Sequence, residues 1–393
     1  MQTLIELFDE RPLENVLGVE MFRPERVVYI CTEEIGSVKP ILETLGIYFQ
    51  WRGLDPELSI VKGSFYEVGA MLELFRRVVS AYPDCAIDIT GGTDAVLFAA
   101  GLLCAESEVP VFTYSRRKNC FYDIRGTVFT GALPCTVVYT VEDFFLMAGG
   151  SMRQGRVDNA ILAQYLDVID PFFQLYLRHR RDWKRTVNYM QRVSQAEDNS
   201  SASLFVQGQY LVKGERGSRI EAPTETLKDL EQIGFLQELV VVPGESVSFR
   251  FRDRQIRAWL RDVGSVLELY VYKACLDTGL FQDVRTSVIV DWQGDEKIKP
   301  VSNELDVMCT RGVTPVFISC KVCDVRTEAL NELAILRDRF GGVMARAAIV
   351  TAERGGYGMR NRAEELGIMV IDLNDLVRGR ISKRLKSLMR DIH

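Results

Sequence analysis

Asn303-Glu304-Leu305-Asp306-Val307 and, a few residues on, Pro315-Val316-Phe317-Ile318-Ser319-Cys320-Lys321 are two short apolar runs that carry charge at matching places. Both have the length and composition of strands. Side chains alternate faces along a strand, so Glu304 and Asp306 share one face while Leu305 and Val307 take the other. By the same count Ser319 and Lys321 share a face, and Cys320 points the opposite way. Neighbouring strands would bring Asp306 and Lys321 together at their ends. A lysine in a run that otherwise reads as core needs a reason. A salt bridge at the end of a sheet is the plain explanation. The sharper one is a metal and phosphate site: a carboxylate holds a hard divalent cation, and the lysine stabilises charge on the attacked phosphate.

Working outward, a helix is expected over 255–278, with Leu260, Val263, Leu267, Val271 and Ala274 at helical spacing. Glu268 flanks that stripe and is placed to face a sheet. Three strands follow, over 285–292, 304–309 and 315–321. Then come a helix over 327–340 that stops at Gly341-Gly342, a strand over 345–351, and a final helix–strand–helix. Glu332 lies on the helix after Lys321, where an exposed flank is the simplest reading. Glu268, Glu304 or Glu332 could add a second carboxylate to Asp306.

This order of elements, with Glu268, Asp306 and Lys321 in place, resembles the PD-(D/E)xK nuclease superfamily over roughly 255–378. The superfamily has an acid two residues before the lysine, and here that residue is Ser319. The phrase from Pro315 to Lys321, with Asn331-Glu332-Leu333 and Arg339-Phe340-Gly341-Gly342, is more specific. It resembles the ancillary nucleases of type III CRISPR systems, which join a CARF (CRISPR-associated Rossmann fold) domain to such a nuclease. Ser-Cys-Lys recurs in that group. The resemblance implies cleavage of DNA, RNA or both with manganese or magnesium. It places Asp306 and Glu268 as metal ligands, Lys321 as phosphate stabiliser, Ser319 on a metal-bound water and Glu332 as a helper. Cys320-Lys321-Val322-Cys323 is also a CxxC, but no second cysteine pair or histidine completes a zinc site.

The first 145 residues alternate strand and helix patterns. Strands are expected at 26–32, 58–62, 85–89 and 109–114, with helices at 37–49, from about 66, and at 94–105. That spacing means a parallel sheet wound with helices. Thr90-Gly91-Gly92-Thr93 follows a strand and opens a helix, where glycines let backbone amides approach a phosphate. It is not the dinucleotide fingerprint. Ligands of such sheets bind at the carboxyl ends of the strands. Thr32, Ser64, Phe65, Ser115 and Arg116 lie in the other loops of that edge. Asp88 to Thr93 resembles the ligand loop of CARF domains, although Asp94 stands where many relatives carry lysine. The resemblance implies a homodimer that holds a cyclic oligoadenylate across its two-fold axis. Cyclic tetra-adenylate is the expected ligand, since a two-fold dimer suits a four-fold ring.

Between these regions, 162–191 reads as largely helical, 195–203 as a polar loop and 224–234 as a helix stopped by Gly234. Residues 239–242 and 247–251 form a hairpin across Pro243-Gly244. A helix followed by a hairpin resembles a winged-helix module. The fold class is therefore α/β: a Rossmann-like CARF parallel sheet over 1–145, a small α+β connector of winged-helix type over 146–254, and a restriction-endonuclease-like α/β domain over 255–393.

Bulk properties narrow the chemistry. The chain has 393 residues, nine cysteines and a net charge of −6. An odd, scattered set of cysteines argues against a disulfide framework. No signal peptide or membrane span is visible, so a reducing cytosol is expected. Only His179 and His393 could serve as histidines, which excludes most triads and His-rich metal sites. Two basic clusters, 178–185 and 378–390, read as solvated helix faces. A rival reading makes the protein a nucleotide-regulated DNA-binding module with a degenerate nuclease domain. Less favoured are a sensor that degrades its own ligand and a redox enzyme built on Cys320 and Cys323.

Overall fold

The computed structural model describes residues 1–390 except 35–36, 127, 156, 196–202, 215–216 and 292–301. Most of the polar loop expected over 195–203, and with it Trp292 and His393, lies outside the described residues.

The N-terminal region contains β1 (Thr3–Leu7), α1 (Leu17–Phe22), β2 (Arg26–Thr32), α2 (Lys39–Trp51), β3 (Glu57–Gly63), α3 (Val68–Ala81), β4 (Cys85–Asp88), α4 (Asp94–Glu106), β5 (Val111–Ser115), β6 (Cys120–Arg125), β7 (Ala132–Pro134) and α5 (Val141–Met147). Its sheet runs β3-β2-β1-β4-β5-β6-β7. The first five strands are parallel, as expected, and β6 and β7 return antiparallel. β1 was not anticipated, yet it is central and wholly buried. Its five residues are too few to show a period, and Glu6 in their midst reads as surface. The strand order reverses direction between β1 and β4, which opens a crevice at their carboxyl ends.

The chain then makes β8 (Ser151–Gln154), α6 (Asn159–Leu162), α7 (Leu166–His179), α8 (Trp183–Val193), β9 (Phe205–Gln209), β10 (Leu211–Lys213), β11 (Arg219–Glu221), α9 (Thr224–Gln232), β12 (Leu236–Val242), β13 (Ser246–Phe251) and α10 (Arg254–Trp259). β12, β13 and β9 form one antiparallel sheet in that order, with α8 and α9 against it. This is a winged-helix arrangement in which the β10–β11 hairpin stands where a second helix would be. The exposed positions of α9 are Glu225, Lys228, Glu231 and Gln232. That face carries more negative than positive charge and is poorly suited to DNA phosphates.

The last region holds α11 (Ser265–Asp277), β14 (Asp283–Asp291), β15 (Ser302–Arg311), β16 (Thr314–Lys321), α12 (Thr327–Gly341), β17 (Arg346–Thr351), α13 (Tyr357–Glu365), β18 (Ile368–Ile371), α14 (Leu373–Val377) and α15 (Ile381–Leu388). The single helix expected over 255–278 is two, α10 and α11. Asp262 breaks it: its carboxylate accepts from the amides of Gly264 and Ser265 at 3.1 and 2.8 Å, which starts α11 afresh. The sheet order is β18-β17-β16-β15-β14-β8, so β8 crosses from the preceding region to pair with β14.

Two cores sandwich this sheet. α11 shares one with Val307, Ile318 and the middle region. α12 shares the other with Leu305, Phe317 and the N-terminal region. Leu305 and Val307 thus lie on opposite faces, contrary to the simple alternation. The switch falls where Ser287 of β14 adopts a left-handed backbone, φ 53°. The N-terminal and C-terminal regions touch directly. Phe145 meets Phe340 edge-on at 5.1 Å, and the Val141 amide donates to Asp283 at 2.9 Å.

Candidate functional site

A cleft of about 220 Å³ opens at the end of β15 and β16, lined among others by Asp262, Glu268, Ser287, Glu304, Asp306 and Lys321. The ladder between these strands ends at Val307 and Ile318. One step further, Asp306 and Ser319 stand opposite each other as the strands part. The Asp306 carboxylate fills the opening. Its Oδ2 accepts from the Cys320 amide at 2.6 Å, the Ser319 hydroxyl at 3.1 Å and the Lys321 ammonium at 3.3 Å. Ser319, expected on a metal-bound water, therefore spends its hydroxyl on Asp306. Burial pulls the Lys321 ammonium down, but Asp306, Cys320 and Glu268 around it prevail and raise its pKa.

Glu268 comes from the first turn of α11, as its position beside the apolar stripe suggested. Burial and then the charges of Asp306, Asp262 and Glu304 push its carboxyl up to about 8, opposed by Lys321. A Cβ on Gly264 would sit 2.7 Å from its Oε1, so glycine there leaves the carboxyl room. Glu304 also reaches the cleft and accepts from the Ser287 hydroxyl at 2.8 Å. Glu332 does not line it. It belongs to α12, on the other face of the sheet, and accepts from Asn303 at 2.5 Å. Since Asn303 alternates with Glu304, the geometry puts Glu332 behind the site.

Among the described residues no three His, Cys, Asp or Glu side chains already stand close enough to hold an ion. The donor set still fits a hard divalent cation. Several carboxylates converge on one cleft, and burial together with their negative charge, only partly offset by Lys321, holds a proton on Glu268. Cys320 is buried and its thiol is held well above the ordinary range by burial, whereas Cys323 is exposed. That arrangement lacks the reactive thiolate of a redox CxxC.

At the N-terminal sheet, Thr90 to Thr93 pack against the end of β1. A Cβ on Gly91 would meet the Leu7 carbonyl at 2.4 Å, and Gly92 has φ 91°. Both threonine hydroxyls are engaged. Thr90 donates to Asp88 and accepts from the Tyr114 amide at 2.8 Å, and Thr93 donates to the Phe65 carbonyl at 2.7 Å. They build the loop, and the Thr90 amide is engaged as well, donating to Asp88 at 2.8 Å. The Phe65 ring is in the core. Thr32 accepts from the Glu34 amide at 3.4 Å. Ser64 and Ser115 are half-buried at the same edge. Arg116 is ion-paired with Glu14, while Arg117 and Lys118 are exposed beside it. Nearby, a cavity of about 280 Å³ joins the regions, lined by Phe8, Asp9, Ile41, Met147 and Arg339 among others.

Sequence reasoning missed Asp262, Gly155, Asn159 and Ser287. Asp262 carried a signal, an acid shortly before Gly264-Ser265, but it lay inside a periodic helical pattern. The other three act through contacts between distant segments, which no local pattern reports.

A parallel-sheet domain of Rossmann type, a winged-helix connector and a nuclease-like α/β domain with its acids and lysine at a parting strand pair define the class. Residues 253–391 match the family model described as Card1-like, endonuclease domain. The fold of nearly the whole chain is similar to that of protein VC1899 from Vibrio cholerae, with TM-score 0.76 and 18% identity over 99% of this chain and 98% of that one. It is similar too to Can2 from Sulfobacillus thermosulfidooxidans, solved in complex with cyclic tetra-adenylate, with TM-score 0.69 and 15% identity over 98% and 97%. No curated protein matches the sequence. The C-terminal match and the shared fold agree with the family resemblance read from the sequence.

Proposed function

We propose that this protein is a cyclic tetra-adenylate-activated, metal-dependent endonuclease of type III CRISPR defence, hydrolysing phosphodiester bonds in DNA, RNA or both as a homodimer. The observation that carries this is the meeting of Asp306, Glu268, Glu304 and Lys321 in one cleft of a Card1-like endonuclease domain. The site is read as a PD-(D/E)xK variant. Asp306 and Glu268 would hold manganese or magnesium, with Glu304 as a third oxygen donor. Such an ion, when bound, supplies Lewis-acid polarisation and hydroxide near neutral pH. Lys321 stays protonated beside Asp306 and stabilises charge on the phosphate. Ser319 and the Cys320 amide fix the Asp306 carboxylate through its Oδ2 in the cleft.

The sensor role rests on the Thr90–Thr93 loop at the topological switch point, the exposed Arg117 and Lys118, and the Can2 fold seen with this ligand. The homodimer rests on α4, which is apolar on nearly all sides. Leu97, Phe98 and Leu102 are 37%, 63% and 37% exposed on its outer face. An apolar face of that kind marks a contact surface.

The test is incubation of the protein and Lys321→Ala with supercoiled plasmid, single-stranded DNA and single-stranded RNA, with manganese, with and without cyclic tetra-adenylate. Cleavage that needs the ring nucleotide and falls at least about 100-fold in the variant is expected. Ligand binding without any cleavage would replace the nuclease with a regulated binding module.

A further inference from the structure

Residues 151–155 and 157–159 come directly after the N-terminal region, yet they pack against the nuclease strands, and Val157 lines the cleft. β8 pairs with β14 from Asp291 to Val288. Beyond that ladder the Gly155 amide donates to the Ser287 carbonyl at 2.7 Å. A Cβ on Gly155 would lie 2.3 Å from the Ser287 hydroxyl and 3.3 Å from Glu304 Oε1. Val157 lines the cleft itself. Asn159 then continues the strand's work with its side chain: its Oδ1 accepts from the Thr286 amide at 2.9 Å and its Nδ2 donates to the Thr286 carbonyl at 3.1 Å.

The two residues held this way both reach the acids. The Thr286 hydroxyl donates to the Asp306 carbonyl at 2.7 Å, and the Ser287 hydroxyl donates to Glu304 Oε1 at 2.8 Å. Ser287 is 1% exposed and sits at φ 53°, a conformation an L residue adopts only when its surroundings enforce it. That backbone turn lies opposite Asp306, between the pairs Thr286–Val307 and Val288–Leu305, where the strand pair exchanges faces.

We propose that Ser287 and Asn159 are positioning residues of the nuclease site, through which the segment leaving the N-terminal domain sets the placement of Glu304 and Asp306. This rests on reading the cleft as a metal-dependent nuclease site. It makes β8, Gly155 and Asn159 the direct route from sensor to cleft, in place of a relay through the winged-helix region.

The experiment measures manganese binding to the full-length protein by electron paramagnetic resonance, with Asp306→Asn defining the signal from the cleft, alongside thermal melting and cleavage. Ser287→Gly removes the hydroxyl while suiting the left-handed backbone, so it is expected to fold at least as well as wild type. Asn159→Ala removes the clamp. Both are expected to weaken manganese about tenfold and to shift the manganese dependence of cleavage by the same factor. In Ser287→Gly the melting temperature should stay at or above wild type, which a merely structural role would not combine with weaker metal. Manganese affinity equal to wild type in both variants overturns the proposal, as does a wild type with no Asp306-dependent manganese signal. A wild type that binds manganese in the cleft but cuts nothing would instead remove the nuclease reading and leave the positioning role standing.

Discussion

The Glu268 carboxyl shows most plainly how burial and negative charge are gathered in the cleft. Its pKa, pushed up to about 8 by burial and by neighbouring carboxylates, lies far above that of an unfolded glutamate near 4.3. Between those values the folded protein binds a proton that the unfolded chain has released, so metal-free stability falls as pH rises through this window. Glu268→Gln removes the charge and with it that slope. Melting without metal should therefore show the variant overtaking wild type by about 3 °C above pH 8, with little difference at pH 5. Manganese should raise wild type and leave the variant nearly unmoved. A parallel pH slope in both proteins would mean that Glu268 is not the group under strain. At this scale the sequence was a good guide wherever one face of one strand decided the matter: Asp306, Lys321 and Glu268 do meet. It failed for Glu332, because helix spacing cannot say which face of the sheet a helix covers.

Elements were legible in proportion to their length and regularity. β2 to β5 and β15 to β17 followed from apolar runs bounded by turn residues. β1 hid behind Glu6, which is buried beside Asp88 with its pKa raised by that burial and by the Asp88 charge. β8 hid because four residues that pair with a strand far along the chain leave no local trace. The break between α10 and α11 hid because Leu260 and Val263 keep the helical period across it. The structure gives that break a purpose: the capped start of α11 fixes the turn from which Glu268 enters the cleft. Asp262→Ala should cost about 1 kcal/mol by uncapping the helix, measurable by urea unfolding. It should also lower the Glu268 pKa, since Asp262 is one of the charges raising it. A stability loss with an unchanged pH slope would confine Asp262 to capping.

On the scale of the whole molecule, the expected division into three parts hides how closely they are joined. One core runs from β1 and α5 of the N-terminal region to α12 and β17 of the nuclease domain. A second joins the winged-helix region to α11 and the opposite face of the same sheet. The basic stretch at the end of α7, expected as a solvated face, is partly consumed in this packing: Arg178 pairs with Asp229, and Arg180 with Glu353. With domains fused by shared cores, independent swinging of sensor and nuclease is a poor way to switch the site. Movement of one whole subunit against another needs no break in either core. The outer face of α4 is where such a contact would form, directly behind the Thr93 end of the Thr90–Thr93 loop. Phe98 is 63% exposed there, so Phe98→Glu should leave the fold and its melting temperature intact. It should convert an assembly of twice 44.6 kDa into a single chain of that mass, read by analytical ultracentrifugation. Activator-dependent cleavage should fall with it, since a lone subunit has no partner to shift against. A Phe98→Glu protein that stays dimeric and fully activatable would move the contact off α4. One that becomes monomeric yet cuts as wild type would place the switch within the subunit, along β8, Gly155 and Asn159 alone.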